Sequence, residues 1–283
     1  MKVRKKAQTR RSYAVLDLKD DRHRYVVKPA DDFADPELAW LLHQVTDPRL
    51  PRLFGCTGQV VDRLKSFSFL PYIEPAEIGL DRYRRIAAQP LLLFEYVPGE
   101  SLDRIDCFTP RMAVALHECF YKLGKRLFGI VRRPVLHLDL KPSNILLTPD
   151  GSFCFIDWSI GRVGESIERV KAGTKGYLGD HRAGATLRRD RYALAMTIIS
   201  LLQEKPAASI HTVDRLLALK VLPKDLRLKL TRDLTYGRRT RIKRQVMKKV
   251  RAKTSGSDEP MTVIVIPWEE AENKRNIRIS IDE

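Results

Sequence analysis

Residues 137–147 read His-Leu-Asp-Leu-Lys-Pro-Ser-Asn-Ile-Leu-Leu, a polar loop that runs straight into an apolar strand. Few folds place an aspartate (Asp139), a lysine two residues on (Lys141) and an asparagine three beyond it (Asn144) in one loop between a helix and a strand. Shortly afterwards Phe153-Cys154-Phe155-Ile156-Asp157 forms a second apolar strand that ends in a carboxylate. Phosphoryl transfer asks little covalent help of a protein. It needs a carboxylate near the attacking hydroxyl, positive charge on the moving phosphate and oxygen ligands for a divalent cation. Asp139, Lys141 and Asn144 can supply these in that order. Asn144 and Asp157 together suit a hard, oxygen-seeking ion.

The rest of the chain is compatible with a soluble enzyme. Its 283 residues can hold one large domain or two lobes around a cleft, and 43% are hydrophobic and 31% charged. No apolar run is long enough to cross a bilayer, and the charged N-terminus does not resemble a secretory signal. Cys56, Cys107, Cys119 and Cys154 stand far apart, which suits buried thiols in a reducing cytoplasm better than a disulfide or metal framework.

Turn and periodicity signals give a coarse outline. Residues 13–18 and 24–28 read as two strands around a polar turn. Asp35-Pro36 opens a helix with Leu38, Leu41, Leu42 and Val45 on its apolar side. Residues 91–97 are a continuous apolar strand, broken by Pro98-Gly99. Thr109-Pro110 starts a second helix, and apolar positions recur at helical spacing behind it. Residues 192–202 suggest a buried helix. Residues 223–234 and 240–250 suggest two more, and 263–266 a short strand.

These residues resemble the catalytic loop and magnesium-binding aspartate of the eukaryotic-like (Hanks-type) serine/threonine protein kinases. The family's H-x-D-L-K-P-x-N pattern is matched at every fixed position. Lys141 points toward the protein kinases, because related small-molecule phosphotransferases usually lack it. The resemblance spans residues 13–254 and implies an α+β, two-lobed fold. A basic segment, 1–12, precedes a small antiparallel lobe and hinge at 13–97. A mainly helical lobe follows at 98–254, then an acidic tail at 255–283.

The resemblance also implies roles. Asp139 would be the catalytic carboxylate, with Lys141 beside it, and Asn144 and Asp157 would hold Mg2+ or Mn2+. Residues 92–102 match the hinge, so the Glu95 carbonyl and Val97 amide would hold the adenine of ATP, with Phe94 as gatekeeper. Val15 and Val26 would cover the base and Leu146 would lie beneath it. Lys28 would bind phosphate, paired with Glu37, and Leu41 would face the cleft. Thr174 lies in the segment that receives the acceptor hydroxyl of a protein substrate. His137 and Asp190 would support the catalytic loop, Asp190 by tying down its backbone.

The sequence departs from the family at four places. Gln8, Arg10 and Tyr13 stand where the phosphate loop has glycines, which let backbone amides approach phosphate closely. Asp157-Trp158-Ser159 replaces D-F-G. Gly179-Asp180-His181 replaces A-P-E, with Asp180 and Arg238 or Arg239 as a substitute ion pair. Leu138 stands where regulated kinases carry the arginine that neutralises an activation-loop phosphate, so an enzyme active without that switch is expected. A kinase-fold scaffold that binds nucleotide and a partner, or a small-molecule phosphotransferase, are the alternatives. The net charge of +17 gathers at 2–11 and 238–253. Such blocks suit an acidic partner, whether nucleic acid, an anionic membrane surface or an acidic protein, or else a plain solvated face.

Overall fold

The computed structural model describes residues 14–19, 24–57, 67–78, 80, 90–169, 173–179 and 184–234. Of residues 14–19, 167–169, 212, 213 and 216 it describes the backbone only. The basic blocks 2–11 and 238–253, the helix expected at 240–250, the strand at 263–266, the residues facing the phosphates at 8–13, and Asp180 and His181 lie outside the described residues.

Strands β1 (Ala14–Lys19), β2 (Arg24–Pro29), β3 (Leu53–Thr57) and β4 (Leu91–Glu95) form an antiparallel sheet in the order β1-β2-β4-β3. Side chains alternate faces along each strand. Leu91 and Leu93, with Tyr25 and Val27, pack against Ile78 and Leu80 on one face. Leu92 and Phe94 join the main core on the other, with helix α1 (Pro36–Gln44). Burial on both sides explains the unbroken apolar run of β4. Val26 and Lys28 lie directly opposite Phe94 and Leu92, and so emerge on the α1 side.

Helix α1 begins where its sequence demands. The Asp35 carboxylate accepts from the N–H groups of Glu37 and Leu38 at 2.9 and 3.4 Å, and Pro36 fills the first helical position. The other Asp35 oxygen accepts from the Val163 N–H at 2.7 Å. One carboxylate thus caps the helix and ties it to the second lobe.

That lobe is mainly helical. Helix α2 (Pro110–Val131) is capped by Thr109, whose hydroxyl accepts from the Met112 N–H at 3.2 Å. Helices α3 (Leu187–Leu202), α4 (Thr212–Lys220) and α5 (Lys224–Leu234) follow. Three small sheets decorate it. One contains β5 (Glu100–Ser101), β7 (Ile145–Leu147) and β8 (Phe153–Phe155). The others pair β6 (Val135–Leu136) with β9 (Arg162–Val163), and β10 (Ser166–Arg169) with β11 (Gly184–Ala185). A single core cluster runs from Leu38, Leu41 and Leu92 through Leu140, Phe155 and Trp158 to Leu116 and Ile198, so the two lobes share their packing. This is the two-lobed α+β architecture of the kinases. No described helix is long and apolar enough to cross a membrane.

Some expectations need correction. The buried helix starts at Leu187 rather than at Tyr192, because its first turn, Leu-Arg-Arg-Asp, carries no apolar signal although Arg189 and Asp190 are buried. Strand β3 and helix α4 were not legible as elements. All four cysteines are free thiols, but Cys107 is exposed and Cys119 is only half-buried, packed against the main core.

Candidate active site

The β7–β8 ladder builds the centre of the site. Ile145 pairs with Phe155 and Leu147 with Phe153, so the residues just before β7 and just after β8 meet at one end. The Ile156 N–H donates to the Asn144 carbonyl at 2.9 Å, which brings Asn144 and Asp157 to the same place. The Asn144 Nδ2 donates to the Asp139 carbonyl at 2.9 Å and to Asp139 Oδ2 at 3.1 Å. With its nitrogen committed to Asp139, the amide offers its oxygen elsewhere.

Asp190, wholly buried in the first turn of α3, fixes the loop from behind. Its two oxygens accept from the N–H groups of His137 at 2.6 Å and Leu138 at 2.8 Å. Burial pushes its carboxyl up to about 6, while these two bonds favour the ionised form. Leu138 is thereby held at a φ of +65°, a conformation that survives only where the surroundings over-determine it. The His137 Nδ1 accepts from the Asp139 N–H at 3.3 Å, so the proton sits on Nε2 and is donated to the Ile156 carbonyl at 2.9 Å. Burial holds this imidazole below its ordinary pKa despite Asp139 and Asp157 nearby. Its ring lies 4.5 Å from that of Trp158.

Asp139, Lys141 and Thr174 close a triangle. Lys141 Nζ donates to Asp139 Oδ2 at 2.7 Å and to Thr174 Oγ1 at 2.9 Å, and the Thr174 hydroxyl donates to Asp139 Oδ1 at 2.8 Å. A hydroxyl therefore stands between a carboxylate that can take its proton and an ammonium that can face negative charge. From the small lobe, Lys28 Nζ reaches Asp157 Oδ1 at 3.0 Å and the Ser159 hydroxyl at 3.4 Å, with the Phe94 ring 5.4 Å away. Burial lowers the Lys28 pKa, and the Asp157 charge opposes that shift.

Glu37 does not join this cluster. Its carboxylate pairs with Arg133, just beyond α2, and Lys28 is paired with Asp157 instead. The reason lies at the entrance to α1: Asp35 binds β9, and the Ala34 N–H donates to the Ser159 carbonyl at 2.9 Å. These ties turn the first turn of α1 toward the surface of the second lobe. Leu41, one turn on, is fully buried in the shared core.

The other expected residues flank the cleft. Val26 lies half-buried on β2 opposite Phe94, and Leu146 lies half-buried on β7 opposite Cys154. Glu95 ends β4, where its N–H donates to the Arg52 carbonyl at 2.8 Å and its side chain accepts from the Arg52 N–H at 3.1 Å. Val97 follows outside the strand, and among the described residues its N–H donates to no carbonyl. Val15 lies on β1, and its side chain is outside the described part. Ser159 was missed by sequence reasoning. The signal was a single hydroxyl between Trp158 and Ile160, in the place where the family motif has glycine.

The donor set fits a hard divalent cation, with one carboxylate from Asp157 and one amide oxygen from Asn144. Among the described residues no group of three or more His, Cys, Asp or Glu gathers as a self-sufficient metal site. A cation here would draw its remaining ligands from phosphate and water, as magnesium does in nucleotide sites.

No family model matches the sequence. Among curated proteins, the chain is 27% identical over 142 residues to cysteine-rich receptor-like protein kinase 34 of Arabidopsis thaliana, covering 44% of this chain and 21% of that protein. It is 28% identical over 156 residues to serine/threonine-protein kinase PknD of Mycobacterium tuberculosis, covering 51% and 23%. It is 31% identical over 130 residues to MAP kinase kinase skh1/pek1 of Schizosaccharomyces pombe, covering 42% and 35%. The matched stretches thus make up about a fifth to a third of those proteins' length. On this similarity, and with its two-lobed α+β fold, the chain is a distant and divergent relative of the serine/threonine protein kinases.

Proposed function

We propose that the chain transfers the γ-phosphoryl group of ATP to serine or threonine hydroxyls of a protein. The observation that carries this reading is the meeting of two hydrogen-bonded groups, Lys28 with Asp157 and Ser159, and Asn144 with Asp139, Lys141 and Thr174, which the backbone bond from the Ile156 N–H to the Asn144 carbonyl sets side by side. Asp139 orients the acceptor hydroxyl and takes its proton. Lys141 faces the developing charge on the transferred phosphate, and Lys28 holds the phosphates behind it. Asn144 and Asp157 would hold Mg2+ or Mn2+, which would supply positive charge against the phosphates. The Glu95 carbonyl and the Val97 N–H take the adenine edge, between Val15 and Val26 above and Leu146 below. The segment at Thr174 receives the acceptor, and His137 and Asp190 keep the loop in shape.

This reading includes activity without activation-loop phosphorylation. Leu138 offers no charge for a phosphate, and α1 is already tied through Asp35, Ala34 and Glu37. The cytoplasmic placement rests on the free thiols. The basic blocks 2–11 and 238–253 are read as contacts for an acidic partner.

One observation favours a second reading, a nucleotide-binding scaffold with little turnover. Lys28 is paired with Asp157 rather than with a glutamate of α1. Incubation with radiolabelled ATP, magnesium and protein acceptors separates the two. Wild-type protein is expected to label serine or threonine, and Asp139→Asn to lose about 10² to 10⁴ of that rate. No transfer by wild type, or equal transfer by the variant, refutes the kinase reading.

A further inference from the structure

Ser159 stands where the family motif has a glycine, and its hydroxyl is not idle. The residue is 2% exposed, between the buried Trp158 and the half-buried Ile160. Its O–H donates to Asp157 Oδ1 at 2.9 Å, and its oxygen accepts from Lys28 Nζ at 3.4 Å. Lys28 donates to that same carboxylate oxygen at 3.0 Å. The Ser159 carbonyl accepts from the Ala34 N–H at 2.9 Å, at the entrance to α1. One residue therefore touches the acidic group, the basic group and the small-lobe helix.

Asp157 needs such support. Its φ of +65° lies in the left-handed region, which aspartate enters more readily than most residues when its short polar side chain is hydrogen-bonded nearby. Each donor on a carboxylate oxygen also narrows the directions in which the group can turn. A second donor on the same oxygen narrows them further. A glycine at this place could supply no hydroxyl.

We propose that Ser159 is the positioning residue for the metal-binding carboxylate of Asp157, and that it keeps that carboxylate aligned when Lys28 turns from Asp157 to the phosphates of ATP. In the resting cleft Lys28 and Ser159 share Asp157. With nucleotide present the ammonium has a stronger anionic partner, and the hydroxyl remains a donor to Asp157. Ser159 thereby acts through Asp157 rather than on substrate. The inference rests on the kinase reading above, in which Asp157 holds the cation.

The test separates metal from nucleotide. Mn2+ binding to the protein in the presence of ATP is followed by the loss of the free-ion electron spin resonance signal. Binding of a fluorescent ATP analogue in chelator gives the metal-free nucleotide affinity. In Ser159→Ala and Ser159→Gly the Mn2+ affinity is expected to fall about 10-fold or more, the usual effect of losing a group that orients a ligand. The metal-free nucleotide affinity and the melting temperature should stay close to those of wild type. Two variants are used because glycine introduces no new atom, so a folding failure of one leaves the other informative. Wild-type Mn2+ affinity in both variants would overturn the role of Ser159 and leave the kinase reading intact. An equal loss of metal-free nucleotide affinity would overturn it too, because the residue would then be supporting the cleft as a whole. If wild type binds neither nucleotide nor Mn2+, the kinase reading itself falls and takes this inference with it.

Discussion

Lys28, Asp139 and Asp190 are three charges with three different environments, and the differences decide what each can do. Asp190 is fully buried and its oxygens are saturated by two backbone N–H groups, so it serves as an anchor. Asp139 is mostly buried, its side chain 13% exposed, in a triangle with a lysine and a hydroxyl, so it can exchange partners during a reaction. Lys28 is desolvated, which lowers its pKa, and paired with Asp157, whose charge opposes that shift. Glu37 contrasts with all of these. Its side chain is 41% exposed and that of its partner Arg133 53%, the kind of surface pair whose removal costs under about 1 kcal/mol. Glu37→Gln should therefore leave kcat/KM and the melting temperature close to wild type, while Lys28→Met should lower kcat/KM by about 10² or more. Steady-state kinetics beside thermal melts make the comparison. A loss in Glu37→Gln as deep as in Lys28→Met would show that Glu37 serves Lys28 in the working state.

At the scale of elements, what the sequence revealed and what it hid have one cause. The clustering of the loop at 137–144 was legible because it is local: Asp139, Lys141 and Asn144 lie within six residues, and capping pairs such as Asp35-Pro36 and Thr109-Pro110 announce their own helices. The direction in which Glu37 points was not local. It depends on Asp35 reaching Val163, more than a hundred residues away. The polar first turn of α3 was hidden for the same reason, since Asp190 is buried only because it serves the distant loop. The packing of α2 against α3 and α5 hides another such group. His117 is 4% exposed on α2, stacked on Tyr121 at 4.5 Å, and its Nε2 has no hydrogen-bond partner in the described structure. Burial holds its pKa down to about 4, with the charges of Lys229 on α5 and Arg191 on α3 acting the same way and Glu118 opposing. Between that value and its ordinary 6.5, the unfolded chain binds the proton more readily than the folded one. The stability this imidazole contributes is therefore present above pH 6.5 and lost as the pH falls toward 4. Asp190, raised to about 6, works in the opposite sense, since acidification relieves its buried charge. The comparison must thus be made against a variant. Urea unfolding of His117→Phe should lose less stability than wild type between neutral pH and pH 4, by up to about 2 kcal/mol after allowing for solvent screening. Parallel pH profiles for the two proteins would show that His117 is not buried uncharged.

For the whole molecule, 52 lysines and arginines against 35 aspartates and glutamates leave a charge that the described fold does not absorb. The site uses Lys28 and Lys141, and the pairs Arg49–Asp47, Arg126–Asp47, Lys122–Glu118 and Lys205–Asp214 occupy others. The excess sits in 2–11 and 238–253, two blocks at opposite ends of the stretch of sequence that resembles the kinases. Clustered charge of this kind suits localisation or partner choice. No aromatic residue interleaves the 238–253 run, so any contact with nucleic acid would go to phosphates rather than to stacked bases. Phosphate-led binding carries its own signature, because each neutralised phosphate releases counterions and affinity falls steeply with salt. The whole chain is expected to bind duplex DNA, RNA or anionic vesicles at about 50 mM salt, and to lose about 10³ or more of that affinity by 200 mM if six or more phosphates are contacted. A chain lacking the 238–253 block should show a shallower salt slope. Absence of binding to all three surfaces at low salt would leave the blocks as solvated faces. A slope unaffected by removal of 238–253 would move the contact to the N-terminal block.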